Sequence, residues 1–277
     1  DFAPVLFERG ITAVLSGDEE DYLDVLKKWE RYDFEPVMGE LLQGLYEYQQ
    51  GNHERSLEIL GKAYVNHKDN RSIAAAYLVA LHTDKKDEDK VEKLKLVLLK
   101  DTEWDEHAPT EDIYQRTSNF LYGCALIYED HHKAEEILKS TLEGRPWPIA
   151  RVMYSCALSQ VALDERDAVK AWKAVEEIQI AERYLGDGPL VLNIGLWARY
   201  HFYFLTDDDK KRVIKAEIDK LAATLEENID YKNNYHLVAN WYKITNNPRL
   251  TKIYEENLGG WQGALRSAHF YEIDNDK

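Results

Sequence analysis

The sequence has few of the residues that mark disulfide-rich, disordered or membrane-spanning proteins. It contains two cysteines in 277 residues, too few for a disulfide framework, and we expect Cys124 and Cys156 to be reduced core thiols. Seven prolines and fourteen glycines indicate no disordered linker. No apolar run approaches the roughly 20 residues that a membrane span requires. These absences predict a soluble, folded, cytoplasmic protein with no membrane partner.

Positive charge is also scarce. The chain has 35 lysines and arginines against 51 aspartates and glutamates, which gives a net charge of −16. A protein this acidic repels phosphate groups, so the composition excludes nucleic acids and anionic membranes as partners. A basic peptide is a compatible partner. The plainer explanation is that the charge serves solubility.

Motifs for catalysis, metal binding and cofactor binding are missing. The sequence contains no G-x-x-x-x-G-K-[ST], G-x-S-x-G, H-E-x-x-H or paired C-x-x-C. The kinase signatures G-x-G-x-x-G, H-R-D and D-F-G are also absent. His131 and His132 are adjacent at a predicted helix start, where their side chains diverge by about 100°, a poor arrangement for sharing a metal. We therefore predict no enzymatic activity, no metal site and no cofactor.

The sequence does contain apolar residues at helical spacing throughout. Leu57, Leu60 and Ala63, for example, share one face of a helix predicted over 53–66. Prolines such as Pro148 stand at first helical positions, where their missing N–H costs nothing. Alternation of apolar and polar residues never persists long enough for a strand. The pattern predicts an all-α chain.

The predicted helices fall into seven pairs. Their ranges are 5–15 with 19–31, 36–50 with 53–66, 70–82 with 86–99, 110–128 with 131–143, 148–163 with 165–185, 189–204 with 207–227, and 231–244 with 247–257. From the second pair onward, a new pair begins about every 34 to 42 residues, which is typical of a helical solenoid. We predict a single solenoid over 1–277, with 1–35 as an atypical capping pair and 258–277 as a C-terminal tail.

Small residues recur where the two helices of a pair would cross. In the second pair, Gly44 precedes the turn residue Gly51, and the next helix carries Ser56, Leu60 and Ala63 at small-x3-large-x2-small spacing. The same spacing recurs later in the chain, and further glycines stand in for Gly44. These later positions are Ala134, Leu138 and Thr141, then Ala174, Ile178 and Ala181, with Gly123 and Gly195 as the glycines.

This spacing resembles the tetratricopeptide (TPR) family, in which two antiparallel helices cross closely at small residues. The sequence departs from the family pattern at Glu47, where an aromatic residue is usual, and at Lys68, which replaces a terminal proline. The resemblance implies a right-handed α-α superhelical solenoid of TPR-like helix hairpins. The first helices of such hairpins line a concave wall that binds proteins or peptides.

A second resemblance covers residues 119–205, which include the run NFLYGCALIYEDHHKAEEILKS. This region is similar to the TPR-bearing C-terminal regions of serine/threonine protein kinases from planctomycete bacteria. The resemblance implies a bacterial, kinase-associated regulatory region that follows a kinase domain. A chain that opens on Asp1 rather than Met fits a processed or truncated product.

The TPR register places a set of side chains on the concave side of the first helices, which we call the inner wall. Its members are Leu41, Leu45, Tyr48 and Gln49, then Phe120, Cys124, Ile127 and Tyr128, then Leu192, Leu196, Arg199 and Tyr200, and finally His236, Asn240 and Lys243. Seven of these are candidate ligand-binding residues: Tyr48, Tyr128, Arg199, Tyr200, His236, Asn240 and Lys243. TPR domains that grip chaperone tails use Lys and Asn where this chain has Leu41 and Leu45, so a chaperone tail is not the expected ligand.

Arg199 defines the sharpest functional hypothesis. A guanidinium on the inner wall of an acidic protein would bind a partner's carboxylate by donating two parallel hydrogen bonds to it. The competing interpretation is that Arg199 and Lys243 pair with carboxylates of the chain itself. At the level of the whole protein, we predict a non-catalytic scaffold for a protein or peptide. The alternative is a helical-repeat sensor that binds a small peptide and regulates an attached output domain.

Overall fold

A computed structural model describes residues 3–84, 88–100, 113–127, 129–143 and 146–227, together with residues 238, 241 and 245. The described residues form twelve α-helices and no strand. The helices are α1 (Ala3–Ser16), α2 (Glu19–Arg31), α3 (Pro36–Gln49), α4 (His53–Asn66), α5 (Arg71–Asp84), α6 (Glu88–Lys100), α7 (Ile113–Leu126), α8 (His131–Ser140), α9 (Pro148–Glu165), α10 (Ala168–Leu185), α11 (Pro189–Leu205) and α12 (Asp208–Glu227). The prediction of an all-α chain is confirmed for this part of the molecule.

Each odd-numbered helix packs against the even-numbered helix that follows it, which gives six pairs. The bounds agree with the predicted ones to within a few residues, and those of α2 and α4 agree at both ends. Of the predicted seventh pair, 231–244 with 247–257, the structure describes only residues 238 and 241, and the predicted tail over 258–277 lies outside the described residues. The predicted division into helix pairs is therefore present in the described residues up to 227.

Local sequence explains where the helices begin and end. The side chains of Asp18, Asp130 and Asp167 each accept hydrogen bonds from backbone N–H groups in the first turn of α2, α8 and α10. At the end of α3, Gly51 adopts a φ of 78°, a conformation that residues with a Cβ rarely take. The three-residue turn that contains Gly51 reverses the chain into α4.

The helices of the α3/α4 pair cross at a glycine, as the spacing predicts. A Cβ built on Gly44 would lie within 3.0 Å of Leu60 Cγ, so only glycine leaves room for this leucine. Ser56, which is also fully buried, donates a hydrogen bond from Oγ to the Gly44 carbonyl at 2.8 Å. The α7/α8 pair repeats the arrangement, because a Cβ on Gly123 would collide with Leu138 in the same way.

Gly195 does not repeat this arrangement. A Cβ there would meet Glu182 Oε1 at 2.8 Å and approach Ile178 at 3.7 Å, and both residues belong to the preceding helix α10. Gly44 and Gly123 thus face the second helix of their own pair, whereas Gly195 faces the pair before it. The difference arises because α11 packs closely on α10 as well as on α12.

Successive pairs pack against one another along the chain. The contacts run from α4 to α5, from α5 to α7, from α8 to α9, and from α9 and α10 to α11. Helix α1 departs from this neighbour-to-neighbour order, because it contacts α7, α9 and α11 in addition to α2 and α3. The first pair is therefore held to distant pairs as well as to its neighbour.

Candidate functional site

The described members of the inner wall are largely enclosed by the rest of the chain. Tyr48 and Gln49, at the end of α3, and Cys124, on α7, are half-buried, and the other members on α3, α7 and α11 are buried. Among the candidate ligand-binding residues, Tyr128, His236, Asn240 and Lys243 lie outside the described residues. The inner wall described by the structure is therefore mostly packed against other parts of the protein.

Helix α1 packs against the helices that carry the inner wall. It contacts α3, α7, α9 and α11, which are all first helices of their pairs. A Cβ on Gly10 would lie 2.8 Å from Leu42 Cδ1, which places α1 in close contact with α3. Leu42 lies three residues before Leu45, so it shares the helix stripe that carries the inner wall.

Tyr48 is the candidate residue of the α3/α4 pair. Its ring meets the His53 ring edge-on with centroids 5.4 Å apart, and the side chain packs at the border of the core. Tyr48 stands at the end of α3 and His53 at the start of α4. A half-buried aromatic ring at this position offers rigid contact area at low entropic cost.

Arg199 directs its donors at carboxylates of the chain itself. Its Nε donates to Glu217 Oε2 at 2.9 Å, and its two terminal nitrogens donate to the carboxylate of Glu182 at 3.0 and 3.2 Å. One of them also donates to the Gly195 carbonyl. The arginine is 5% exposed. It therefore joins α10, α11 and α12, as the competing interpretation of Arg199 described.

Tyr200 adjoins Arg199 in sequence and lies in an aromatic cluster. Its ring meets Phe204 edge-on at 4.8 Å and Trp241 edge-on at 6.2 Å, measured between ring centroids. Burial raises the pKa of the Tyr200 hydroxyl to about 12, so this residue is neutral at physiological pH. Tyr48 lies on another helix, α3. The structure thus places Arg199 and Tyr200 together and Tyr48 on a different pair.

A buried histidine between α9 and α11 is a feature that the sequence pattern did not indicate. His201 is 1% exposed, and its Nδ1 donates to the Ser159 carbonyl at 3.0 Å. Burial lowers the pKa of this imidazole to about 4. The hydrogen bond to Ser159 raises the pKa, but by less than burial lowers it. Gln160, which follows Ser159 on α9, is also buried. The only sequence signal was a polar residue four positions after Trp197 on an apolar helix.

Cys156 is buried and Cys124 is half-buried. Burial is the largest cause that raises the pKa of Cys156, to about 12, and it raises the pKa of Cys124 well above its usual value. A thiol with such a pKa is protonated at neutral pH and is a poor nucleophile and metal ligand. The two thiols are therefore packing residues in chemical terms.

Within the described ranges, His, Cys, Asp and Glu side chains form no group of three or more that could hold a metal ion. No helix in this part of the chain is both long enough and apolar enough to cross a membrane. No protein-family model, curated protein or solved structure matches the chain. Its function must therefore be argued from its own residues.

Proposed function

We propose that this chain is a non-catalytic scaffold that binds a protein or peptide through a right-handed solenoid of TPR-like helix hairpins. In this proposal it is a cytoplasmic interaction or regulatory region of a larger protein such as a bacterial serine/threonine kinase. The kinase context is supported by the sequence resemblance over residues 119–205.

The observation that carries the proposal is the convergence of four first helices on one helical segment. Helices α3, α7, α9 and α11 come from four different pairs, and all of them contact α1. In a helical-repeat array, a binding surface arises when the first helices of several repeats face the same ligand. The convergence on α1 supports a surface of this kind in the present chain.

The repeated helix crossings provide further support. The small-residue positions in the second helices of three pairs, Ser56, Ala134 and Ala174, are all fully buried. Gly44 and Gly123 receive a leucine from the paired helix in the same way. A repeat protein requires the same helix crossing to recur at the same positions of each hairpin, because every repeat forms the same helix pair.

The proposal is tested by selecting binders for the full chain from a display library of protein fragments. Each enriched fragment is then measured by titration calorimetry. A scaffold is expected to form a saturable complex. Tyr48→Ala, on the inner wall, should weaken it tenfold or more, which corresponds to about 1.4 kcal/mol.

Tyr32→Ala is the matched control, because Tyr32 is a 52% exposed aromatic residue in the turn after α2. This variant should bind with unchanged affinity. Thermal melts of both variants separate a lost contact from a lost fold. A selection that enriches no fragment with a dissociation constant below about 100 µM, either on the full chain or on the full chain cleaved in the turn between α1 and α2, would contradict the scaffold proposal.

A further inference from the structure

Helix α1 makes contacts that its role in the first pair does not require. A helix that only completed a hairpin would pack on α2 and on the next pair. Helix α1 also contacts α7, α9 and α11, which belong to the fourth, fifth and sixth pairs. The contact with these distant pairs is the kind that a bound ligand makes with a repeat array.

The apolar side chains of α1 are enclosed on several sides. Leu6, Phe7, Ile11 and Val14 are all at most 2% exposed. They occupy positions i, i+1, i+5 and i+8, which cover an arc of about 140° and form one broad apolar face. Val5, by contrast, is 46% exposed. The apolar face of α1 is thus covered by other helices, and the opposite side, which carries Val5, is partly open to solvent.

Polar contacts fix the position of α1 against two later parts of the chain. Glu8 forms an ion pair with Arg116 of α7 at 3.3 Å, and the guanidinium side chain of Arg116 is 2% exposed. The Thr12 hydroxyl accepts a hydrogen bond from Trp147 Nε1 at 3.1 Å, just before α9 begins. Trp147 also lies under the Arg116 guanidinium at 5.1 Å.

The Arg116 guanidinium is held in a fixed position against Glu8 of α1. Its Nε donates to the Thr141 carbonyl at 2.7 Å, which fixes the plane of the guanidinium. Phe120, one turn further along α7, packs on the Trp147 ring with centroids 4.7 Å apart. Arg116 lies four residues before Phe120, so it shares the inner-wall stripe of α7. A rigid cation that lies over the Trp147 ring favours a carboxylate on the segment opposite.

We propose that α1 occupies the partner-binding surface of the array as an internal ligand, and that a partner displaces it with a helix of the same chemistry. This inference rests on the proposed function. The partner segment would be an apolar helix with an acidic side chain for Arg116 and a hydroxyl one turn later for Trp147. Such a partner would cover the apolar surface from which α1 departs. The inner wall would therefore stay buried after the exchange.

The tether between α1 and α2 sets the strength of the competition. The two helices are joined by the short turn at Gly17 and Asp18. A segment tethered this closely acts at an effective concentration of about millimolar, so a free competitor at micromolar concentration does not displace it. Cutting the turn removes this advantage and leaves every side chain of α1 in place.

The test inserts a protease site in the turn at Gly17 and Asp18 of the full chain. The probe is a fluorescent peptide with the sequence of residues 3–16, and its binding is followed by anisotropy before and after cleavage. The uncut chain should not bind the peptide at micromolar concentration. The cut chain should take it up saturably, with an apparent affinity at least about 100-fold higher, because the tether no longer competes.

Variant peptides identify the contacts. Phe7→Ala should weaken binding to the cut chain at least tenfold, and Glu8→Gln should weaken it and reduce its dependence on salt. Val5→Ala is the matched control, because Val5 is exposed, and it should bind as the parent peptide does. Equal binding of all three variants would overturn the assignment of these contacts and with it the inference.

Two other results would also overturn the inference. A cut chain that stays folded by circular dichroism but excludes the peptide would show that α1 does not exchange. A cut chain that loses helical signal when α1 leaves, and does not recover it with added peptide, would show that α1 is core alone. In both cases a fragment that binds the uncut chain without competition from the peptide would preserve the scaffold proposal.

Discussion

The α3/α4 crossing and the α10–α11–α12 junction join helices by different chemistry. At the first, Leu60 lies over Gly44, and the contact is almost wholly apolar apart from the Ser56 hydroxyl. At the second, the Arg199 guanidinium lies between carboxylates from two neighbouring helices. One junction depends on shape and the other on charge.

The difference has a physical consequence for stability. A leucine packed on a glycine gains from burial and packing, and neither term depends on pH or on the screening of charges. A buried arginine must recover its lost hydration from its partners, and removing a partner leaves an uncompensated charge. The apolar crossing is therefore sensitive to added volume, whereas the ionic junction is sensitive to changed charge.

The largest expected effect is a charge reversal at the ionic junction. Arg199→Glu would place a third carboxylate beside Glu182 and Glu217, so we expect a loss of roughly 3–5 kcal/mol in the free energy of unfolding. Arg212→Glu is the control, because the side chain of Arg212 is 84% exposed, and it should cost less than about 1 kcal/mol. Urea melts measure both. Similar losses would mean that Arg199 is not enclosed by its partners.

Added volume at a helix crossing should have the next largest effect. Ala174 is fully buried on α10, and its carbonyl accepts a hydrogen bond from Ser155 Oγ at 2.7 Å. Ala174→Leu should therefore cost up to about 3 kcal/mol through overpacking. Lys170→Leu, on the same helix, removes a half-buried cation paired with Glu165 and should stay within roughly 0.5 kcal/mol. If the two variants unfold at the same urea concentration, the predicted register of α10 is wrong.

Two glycines of α3 sharpen the comparison within one helix. Gly44→Ala should destabilise by about 1–2 kcal/mol, because the new methyl group would overlap Leu60. Gly39→Ala meets only Trp29, at an ordinary 3.5 Å, so its better helix propensity should leave stability unchanged or raise it by up to about 1 kcal/mol. Thermal melts should show a loss of stability for Gly44→Ala and none for Gly39→Ala, and a stabilising Gly44→Ala would contradict the crossing.

The smallest expected effect is the pH dependence contributed by His201. Its pKa of about 4 in the folded state lies below its usual 6.5, so the unfolded chain binds the proton more readily. The stability contribution is complete above pH 6.5 and is lost as the pH falls from 6.5 towards 4. At pH 5.5 the loss should be about 1.4 kcal/mol relative to pH 7.5.

His201→Gln should remove this component of the pH dependence. The measurement is the change in unfolding free energy between pH 7.5 and pH 5.5 for both proteins, because carboxylates contribute similarly to each over this interval. An identical change in the two proteins would show that His201 is accessible to protons in the folded state.

The helix pairs and their apolar crossings could be predicted because they depend on local spacing. Gly44, Ser56 and Leu60 lie within two consecutive helices, and the size of each residue fixes how closely the helices approach. The partners of Arg199 are 17 and 18 residues away on two other helices. The rotation of those two helices decides which carboxylates face Arg199. Residue spacing alone does not specify this rotation.

The contacts of α1 were beyond prediction for the same reason. An apolar helix before an acidic turn has the pattern of an ordinary first helix, and the sequence indicated an atypical capping pair over 1–35. That Glu8 would face Arg116, across more than a hundred residues, follows from how the later pairs are placed. The sequence therefore indicated the helices that α1 contacts, and only the structure shows that α1 lies against them.

The central claim is that α1 lies against the first helices of distant pairs, and a double-mutant cycle on Glu8 and Arg116 tests it most directly. Glu8→Gln, Arg116→Met and the double variant are compared with the parent chain by urea denaturation. Because the ion pair is almost fully enclosed, we predict a coupling energy of about 1 kcal/mol or more. Losses that add to within about 0.3 kcal/mol would show that the two side chains do not meet, and α1 would not occupy this surface.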